Sequence, residues 1–325
     1  MVSDFDSTQS FNRCQNMLLG VAIGDAFAYP YEFASKEIEW FEKNLDMTKY
    51  CVHPKPEFGH QILGLYTDDT QMSIAVTELL ISSGKENGDK FTKENLADYF
   101  VKTFKRDSIN GYARGFQNFL KSVNDGQEFL QKIKPTSTRN GAAMRSVPLG
   151  VVADLDMLVD YAQINASTTH DTPKGHASSV AVALLSHMQF YHVDLKDVDF
   201  FDRILAIDKR TAVHLRTVSR MNGYDQRIIN GRRYKDRGIP CDAMRTTGAV
   251  FYLLNYFHEP SSVLEEAIKL GGDTDSVASI GLGLTMIDEQ LCNLPSFLYD
   301  DLTDHKFGKN YLKDLGQELE NTFFF

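Results

Sequence analysis

The sequence is short of what several protein classes need. No apolar run in its 325 residues approaches the roughly 18 required to span a bilayer. Residues 1–10 are acidic and polar, without the basic start and apolar core of a secretory signal. The four cysteines, Cys14, Cys51, Cys241 and Cys292, are scattered with no C-x-x-C pair. That argues against a disulfide scaffold or thiolate zinc site and makes a reducing cytoplasm the expected compartment. Cations are in deficit: 34 Lys and Arg face 44 Asp and Glu, a net charge of −10. A nucleic-acid backbone is therefore not the expected main partner, because phosphate binding runs on clustered cations. A phosphate-bearing small molecule held by metal ions stays open. There is no G-x-x-x-x-G-K-[ST] loop, no internal repeat and no Pro/Gly/Ser-rich tract. The polar stretches 49–64, 83–90, 132–140 and 221–240 accordingly read as loops inside one domain.

What is present is apolar periodicity. Apolar residues make up 42 % of the chain, enough for a packed core. After Asp69 they fall at Met72, Ala75, Val76, Leu79 and Leu80, the spacing of a helix with one buried face. Thr92 opens a second such helix with Leu96, Ala97, Phe100, Val101 and Phe104 inward. Ser262 and Glu265 read as a capping box, and Val277, Ile280, Leu284 and Ile287 recur at helical spacing. Residues 177–188 are apolar on most sides and predict a central helix. The best strand candidate, 147–152, is interrupted by Pro148 and Gly150. The expected fold is all-α. The terminal Phe323, Phe324 and Phe325 are expected to pack back on the chain's own surface.

Two short segments about 200 residues apart carry the chemistry. One is Tyr66-Thr67-Asp68-Asp69-Thr70; the other is Gly271-Gly272-Asp273-Thr274-Asp275-Ser276. Each sets two carboxylates and a hydroxyl before an apolar helical stripe. Helix capping explains one such side chain per segment, not three. Adjacent carboxylates repel unless a positive charge lies between them. Carboxylate and hydroxyl oxygens favour a hard divalent ion over zinc. If the segments converge, four carboxylates meet and a two-metal centre follows. Gly271 and Gly272 are expected to bring the backbone close to a ligand. An EF-hand reading fails, since positions 6 and 12 counted from Asp273 are Ala278 and Leu284. A haloacid-dehalogenase-like phosphatase would carry its Asp-x-Asp after a strand. The His170-Asp171 pair is similar to all-α metal phosphohydrolases, whose further ligands have no counterpart here.

A third segment, Gly20-Val21-Ala22-Ile23-Gly24-Asp25-Ala26 followed by Pro30-Tyr31-Glu32-Phe33, precedes these two. A fourth is Asn140-Gly141-Ala142-Ala143-Met144-Arg145, and a fifth is Thr169-His170. Five motifs in this order resemble the ADP-ribosylglycohydrolase family, from about Phe11 to about Leu302. That family includes the enzyme that reactivates dinitrogenase reductase and the ADP-ribosyl-acceptor hydrolases.

The resemblance implies a single all-α domain over residues 1–325, with its core at about 11–302 and a binuclear Mg²⁺ or Mn²⁺ centre in a cleft at helix N-termini. By motif match, Thr67, Asp68 and Asp69 hold one ion and share Asp275 with the second, which Asp273 and Ser276 complete. Glu32 matches the glutamate beside the metals and is the candidate for activating water or holding substrate. Asp68, Asp69 and Asp275 join it in the catalytic set. Asn140, Gly141, Ala143 and Met144 match the loop around the ADP-ribose phosphates and distal ribose, and His170 a residue near the nucleotide. The implied activity is cleavage of the bond between ADP-ribose and an acceptor side chain, arginine first. The implied partner is an ADP-ribosylated protein or small molecule, with no membrane and a monomeric chain. The alternatives are a non-catalytic ADP-ribose-binding or structural relative and a metal-dependent nucleotide phosphohydrolase.

Blander readings attach to the supporting residues. Gly24 serves close helix packing, Asp25 is a structural hydrogen-bond acceptor, Arg145 pairs with a nearby acid, and His170 is an ordinary buried histidine. Tyr224 and Tyr234 are candidates for stacking on adenine. The bulky Tyr29 departs from the family's small run and is expected near the cleft. The basic loop with Arg227, Arg232, Arg233, Lys235 and Arg237 reads as a solvated loop, or as one facing an acidic protein substrate.

Overall fold

The computed structural model describes residues 12–55, 62–234, 236–288 and 294–325. Lys235, Cys292 and residues 1–11 lie outside these. Among the described residues there are seventeen α-helices and no strand, only two isolated bridges, Thr136 with His170 and Ile239 with Gly272. The fold is all-α, as the periodicity predicts. Among the described residues no helix is long and apolar enough to cross a membrane.

Nine helices surround or support the acidic segments. They are α1 (Arg13–Ala28), α2 (Asp68–Ser83), α3 (Lys93–Arg106), α4 (Gly141–Met144), α5 (Leu155–Thr169), α6 (Pro173–Tyr191), α7 (Ala243–Tyr256), α8 (Thr274–Thr285) and α9 (Lys309–Phe324). Most start where local chemistry dictates. Asn12, Thr92, Asp154, Thr172 and Asp242 each accept a backbone N–H of the first turn of α1, α3, α5, α6 and α7, a cap that stabilises a helix start by about 1 kcal/mol. Pro173 sits where its missing N–H costs nothing.

At the centre α1 lies against α8, and every residue of α8 is buried. Two glycines one turn apart permit the approach. A Cβ on Gly24 would stand 2.4 Å from the Ala278 carbonyl oxygen, and one on Gly20 2.8 Å from that of Leu282. The packing role of Gly24 is thus met. On its other side α1 carries α9, where Glu320 accepts the Cys14 N–H at 3.0 Å and pairs with Arg13. Phe324 stacks on Phe190, and the Arg13 guanidinium lies 4.4 Å above the Phe324 ring. Phe323 also packs on the core, but Phe325 is 97 % exposed, so the inward reading of the terminal aromatics holds for two of three.

Two local expectations are corrected. Residues Val147–Val151 form a 3-10 helix, because Pro148 has no N–H for a ladder. The helix Pro260–Lys269 starts before Ser262, with Glu259 at its N-cap, so Ser262 and Glu265 lie inside it and form no capping box. Pro260 fixes the earlier start.

The α1–α8 contact predicts opposite outcomes for two glycine substitutions. Gly24→Ala forces two helix backbones apart and should cost about 1–3 kcal/mol. Gly115, where a Cβ meets nothing within 4 Å, lies in the exposed helix Arg114–Ser122, and Gly115→Ala should gain up to about 1 kcal/mol. Thermal unfolding of both variants reads this; an unchanged midpoint for Gly24→Ala would refute the tight seam.

Candidate functional site

The two acidic segments open α2 and α8, yet neither is spent on capping. Thr67 and Asp273 stand at the N-cap positions and neither side chain accepts a helix N–H. Thr67 Oγ1 instead donates to Asp25 Oδ1 at 2.7 Å. Asp273 Oδ2 accepts from Asn140 Nδ2 at 2.9 Å. Asp25 is fully buried and accepts four hydrogen bonds, from the backbone N–H and hydroxyl of Thr67 and of Thr70. It is the structural acceptor that the sequence suggested, and it ties the N-terminus of α2 to α1. The first residue of α8 is tied to the end of the same helix: Thr274 Oγ1 donates to the Ala28 carbonyl at 2.9 Å. Glu32 is held by its neighbour, since Phe33 N–H donates to Gly272 O at 2.7 Å.

These ties bring Glu32, Asp68, Asp69, Asp273, Asp275 and Ser276 to one cavity of about 270 Å³. Asp69 and Ser276 line the same cavity, so the two segments meet there. Among the described residues no Lys or Arg pairs with any of the five carboxylates. One Asp69 oxygen, Oδ1, is buried with no hydrogen-bond partner. Burial, then the neighbouring carboxylates, pushes the Glu32, Asp69 and Asp275 carboxyls well above the usual range. Burial, then Asp25, pushes Asp68 up to about 8. A buried group of like charges with an orphaned oxygen keeps protons or takes a cation, and its five carboxylates fit a hard divalent ion.

The same cavity is lined by Asn140, which meets Asp273, and by Gly141, Met144 and His170, with Phe116 and Ile133 as apolar lining. Gly141 is required: a Cβ there would stand 2.7 Å from His170 Cε1. His170 Nδ1 meets Thr169 Oγ1 at 2.7 Å, and that oxygen accepts from Arg145 at 2.7 Å. Burial and the Arg145 charge hold His170 neutral, its pKa lowered to about 3. It is a buried histidine that also lines the cavity. Arg145 has no acid partner among the described residues, contrary to expectation. It donates to Asn165 Oδ1 at 2.6 Å, to the Asn165 carbonyl and to Thr169, with Phe100 beneath it at 4.5 Å. Burial lowers its pKa to about 9, so the guanidinium stays charged at neutral pH, held by neutral oxygens and the Phe100 ring.

Not every residue singled out in the sequence faces this cavity. Ala143 is fully buried behind it. Thr67 and Tyr29 line a neighbouring cavity with Tyr66 and His305. Tyr224 donates to Asn230 and packs on Tyr252, away from the site. Gly271 and Gly272 do take positive φ, 67° and 80°, but what presses on them is protein. Their Cβ positions would meet the Phe41 ring and the Ile239 backbone at 2.7 and 2.1 Å. Cys241 was missed in the sequence. Its Sγ lies with carboxylate oxygens of Glu32 and Asp273 inside a 4.8 Å group. The signal is non-local: Ile239 N–H donates to Gly271 O, and Asp273 N–H to Ile239 O, each at 2.9 Å, which lays the Cys241 strand of chain on the acidic segment.

Known proteins resemble this chain in sequence and in fold. The family described as ADP-ribosylglycohydrolase matches residues 6–319. An ADP-ribosyl-[dinitrogen reductase] glycohydrolase of Rhodospirillum rubrum is 24 % identical over 280 residues, 83 % of each chain. The ADP-ribosylarginine hydrolase Tri1 of Pseudomonas putida (strain GB-1) is 22 % identical over 290 residues, 83 % of this chain and 69 % of that one. In fold, a solved ADP-ribosylglycohydrolase-related protein complex aligns with TM-score 0.67 at 18 % identity, covering 96 % of this chain and 98 % of that one.

The site predicts a stability response to divalent ions. With Asp68 raised from 3.8 to about 8, the folded protein binds more protons than the unfolded chain between those values. The metal-free fold therefore loses stability as pH rises through that window. A bound cation offsets the same charges. Mg²⁺ should raise the melting temperature over a chelated sample, and by more at pH 8 than at pH 6. No shift at either pH would refute a cation site.

Proposed function

Because the chain belongs to the ADP-ribosylglycohydrolase family, and is thereby an ADP-ribosyl hydrolase, we propose that it removes ADP-ribose from an arginine side chain with two Mg²⁺ or Mn²⁺ ions held by its acidic segments. The observation that carries this reading is five carboxylates in one recess, unpaired among the described residues and with an orphaned Asp69 oxygen. Four of them, Asp68, Asp69, Asp273 and Asp275, with the Thr67 and Ser276 hydroxyls, are the proposed metal ligands. Asp275 would hold both ions. Thr67 donates its hydroxyl proton to Asp25 and lines the neighbouring cavity, so it would join the set only through a remaining lone pair.

Such ions supply Lewis acidity and positive charge beside the sugar. The chain does the rest. Asn140 and Gly141 position the phosphate end of ADP-ribose, with Asn140 fixed by its bonds to Asp273 and Thr246. His170, held neutral, presents a ring to the nucleotide without adding charge. Cleavage breaks the bond between ribose C1 and the acceptor atom, and water oxygen bonds to C1. Positive charge develops on the ring as the bond lengthens, and the nearby carboxylates stabilise it. Glu32 takes the water proton, the electron pair of the broken bond leaves with the acceptor nitrogen, and that nitrogen takes up the proton. The products are ADP-ribose and the restored side chain.

The arginine acceptor follows the Pseudomonas putida relative, which carries that substrate in its name. ADP-ribose release should be measured from arginine-linked and serine-linked substrates, with Mg²⁺, with Mn²⁺ and with chelator. Metal-dependent release from the arginine conjugate is expected. Release from the serine conjugate alone would move the acceptor, and cleavage inside the pyrophosphate would overturn the glycosidic reading. Asp275→Asn should lower turnover by at least about a thousandfold while keeping the fold, because it removes the shared charge.

A further inference from the structure

Acidic side chains outnumber basic ones in this protein, so a cluster of unpaired cations is out of keeping with its average surface. One stands beside the acidic recess. A groove of about 750 Å³ runs between the 230–245 segment on one side and residues near Phe33, Lys55 and Arg139 on the other. Eight of the described side chains that line it are Lys or Arg, against one carboxylate, Asp242. Three of the eight are engaged within the fold. Lys174 pairs with Asp242 at 2.6 Å, while Arg245 and Lys55 donate to the carbonyls of Ile228 and Phe33. The other five, Lys36, Arg139, Arg232, Arg233 and Arg237, are exposed and make no ion pair among the described residues. Folding does not require them together, and their mutual repulsion opposes it.

The groove is not remote from the chemistry. Arg139 and Cys241 line both it and the acidic cavity, and Cys241 Sγ is part of the close group with Glu32 and Asp273. Its wall is anchored to the acidic segment by the two Ile239 hydrogen bonds. The ADP-ribose-binding candidates Asn140, Gly141, Met144 and His170 all lie on the other cavity. The groove is therefore the way out on the acceptor side.

Resting on the hydrolase reading above, we propose that this groove binds an acidic peptide segment flanking the modified residue of a protein substrate. Guanidinium groups match carboxylates as bidentate forks, and at a screening length of about 8 Å the local cations decide what docks there. The acceptor nitrogen enters beside the recess while its acidic flanks lie along the basic groove. A long nucleic acid fits less well: beyond the groove the net charge of −10 repels it, and the face of Tyr234 already carries the Arg233 guanidinium at 5.7 Å, which leaves no series of rings for bases to stack on.

The test uses the full chain and ADP-ribosylated peptides with acidic, neutral or basic flanks. The wild type should favour acidic over basic flanks by at least about tenfold in kcat/KM at low salt, an advantage that falls as salt rises. In a variant carrying Arg232→Gln, Arg233→Gln and Arg237→Gln that advantage should vanish, while free ADP-ribose binds as before by calorimetry. Equal turnover of all flanks by the wild type would overturn the proposal. So would an equal loss of free ADP-ribose affinity in the variant, which would make the groove a diphosphate site. Stronger competition by a single-stranded oligonucleotide than by an unmodified acidic peptide would overturn it in favour of nucleic acid. Anisotropy of the labelled acidic peptide, unmodified, reads the groove without catalysis. Binding lost in the variant supports it even if no conjugate is hydrolysed, and that second result would count against the hydrolase reading alone.

Discussion

Asp25 is the residue on which the rest of the site depends. It is completely buried in α1 and accepts both the backbone N–H and the hydroxyl of Thr67 and of Thr70. Burial alone raises its carboxyl pKa, and those four donors pull it back toward the charged form. The arrangement fixes the first turn of α2 against one side of α1. The glycines on another side of α1 admit α8 to backbone contact, and Thr274 closes that contact on Ala28. Two acidic segments far apart in sequence thus meet because each is fastened to the same helix.

That meeting is unfavourable by itself. Carboxylates brought together away from water either keep their protons or need a cation, and the raised pKa of Asp68, Asp69, Asp275 and Glu32 is the first response. Helix N-termini offset part of the cost, since their dipoles favour negative charge. The fold accordingly holds its acids at two helix starts without using them as caps. Thr67 and Asp273 are turned to other partners, which leaves the carboxylates of the first turns open to the cavity.

Much of this was legible in local sequence. The hydroxyl–acid–acid strings before apolar stripes mark helix starts with more oxygen than a cap can use, and the order of five motifs marks the family. The roles of Gly24 and Asp25 could be read because close packing and short-range acceptance leave characteristic residue types. What could not be read depends on contacts between distant segments. Cys241 reaches the acidic group only through the bridge of Ile239 to Gly272. Tyr29 stands near the cleft as expected, beside Glu32, Asp275 and Asp68, but it lines the neighbouring cavity. The start of the Pro260–Lys269 helix was misread because Pro260 outweighs the Ser262–Glu265 pair.

The basic loop shows the same limit in a form that bears on specificity. In sequence, Arg232, Arg233 and Arg237 resemble any solvated cationic stretch. In the fold they face Lys36 and Arg139, from two other segments, across one groove. Charge of one sign in a loop is cheap, because water screens it. Charge of one sign gathered from three segments costs repulsion that a ligand of opposite sign repays. The recess is negative and takes its cations as metal ions, and the groove beside it is positive and awaits anions. A substrate whose modified residue lies in acidic surroundings matches that groove, so its flanking charges can set its direction across the site before any hydrogen bond forms.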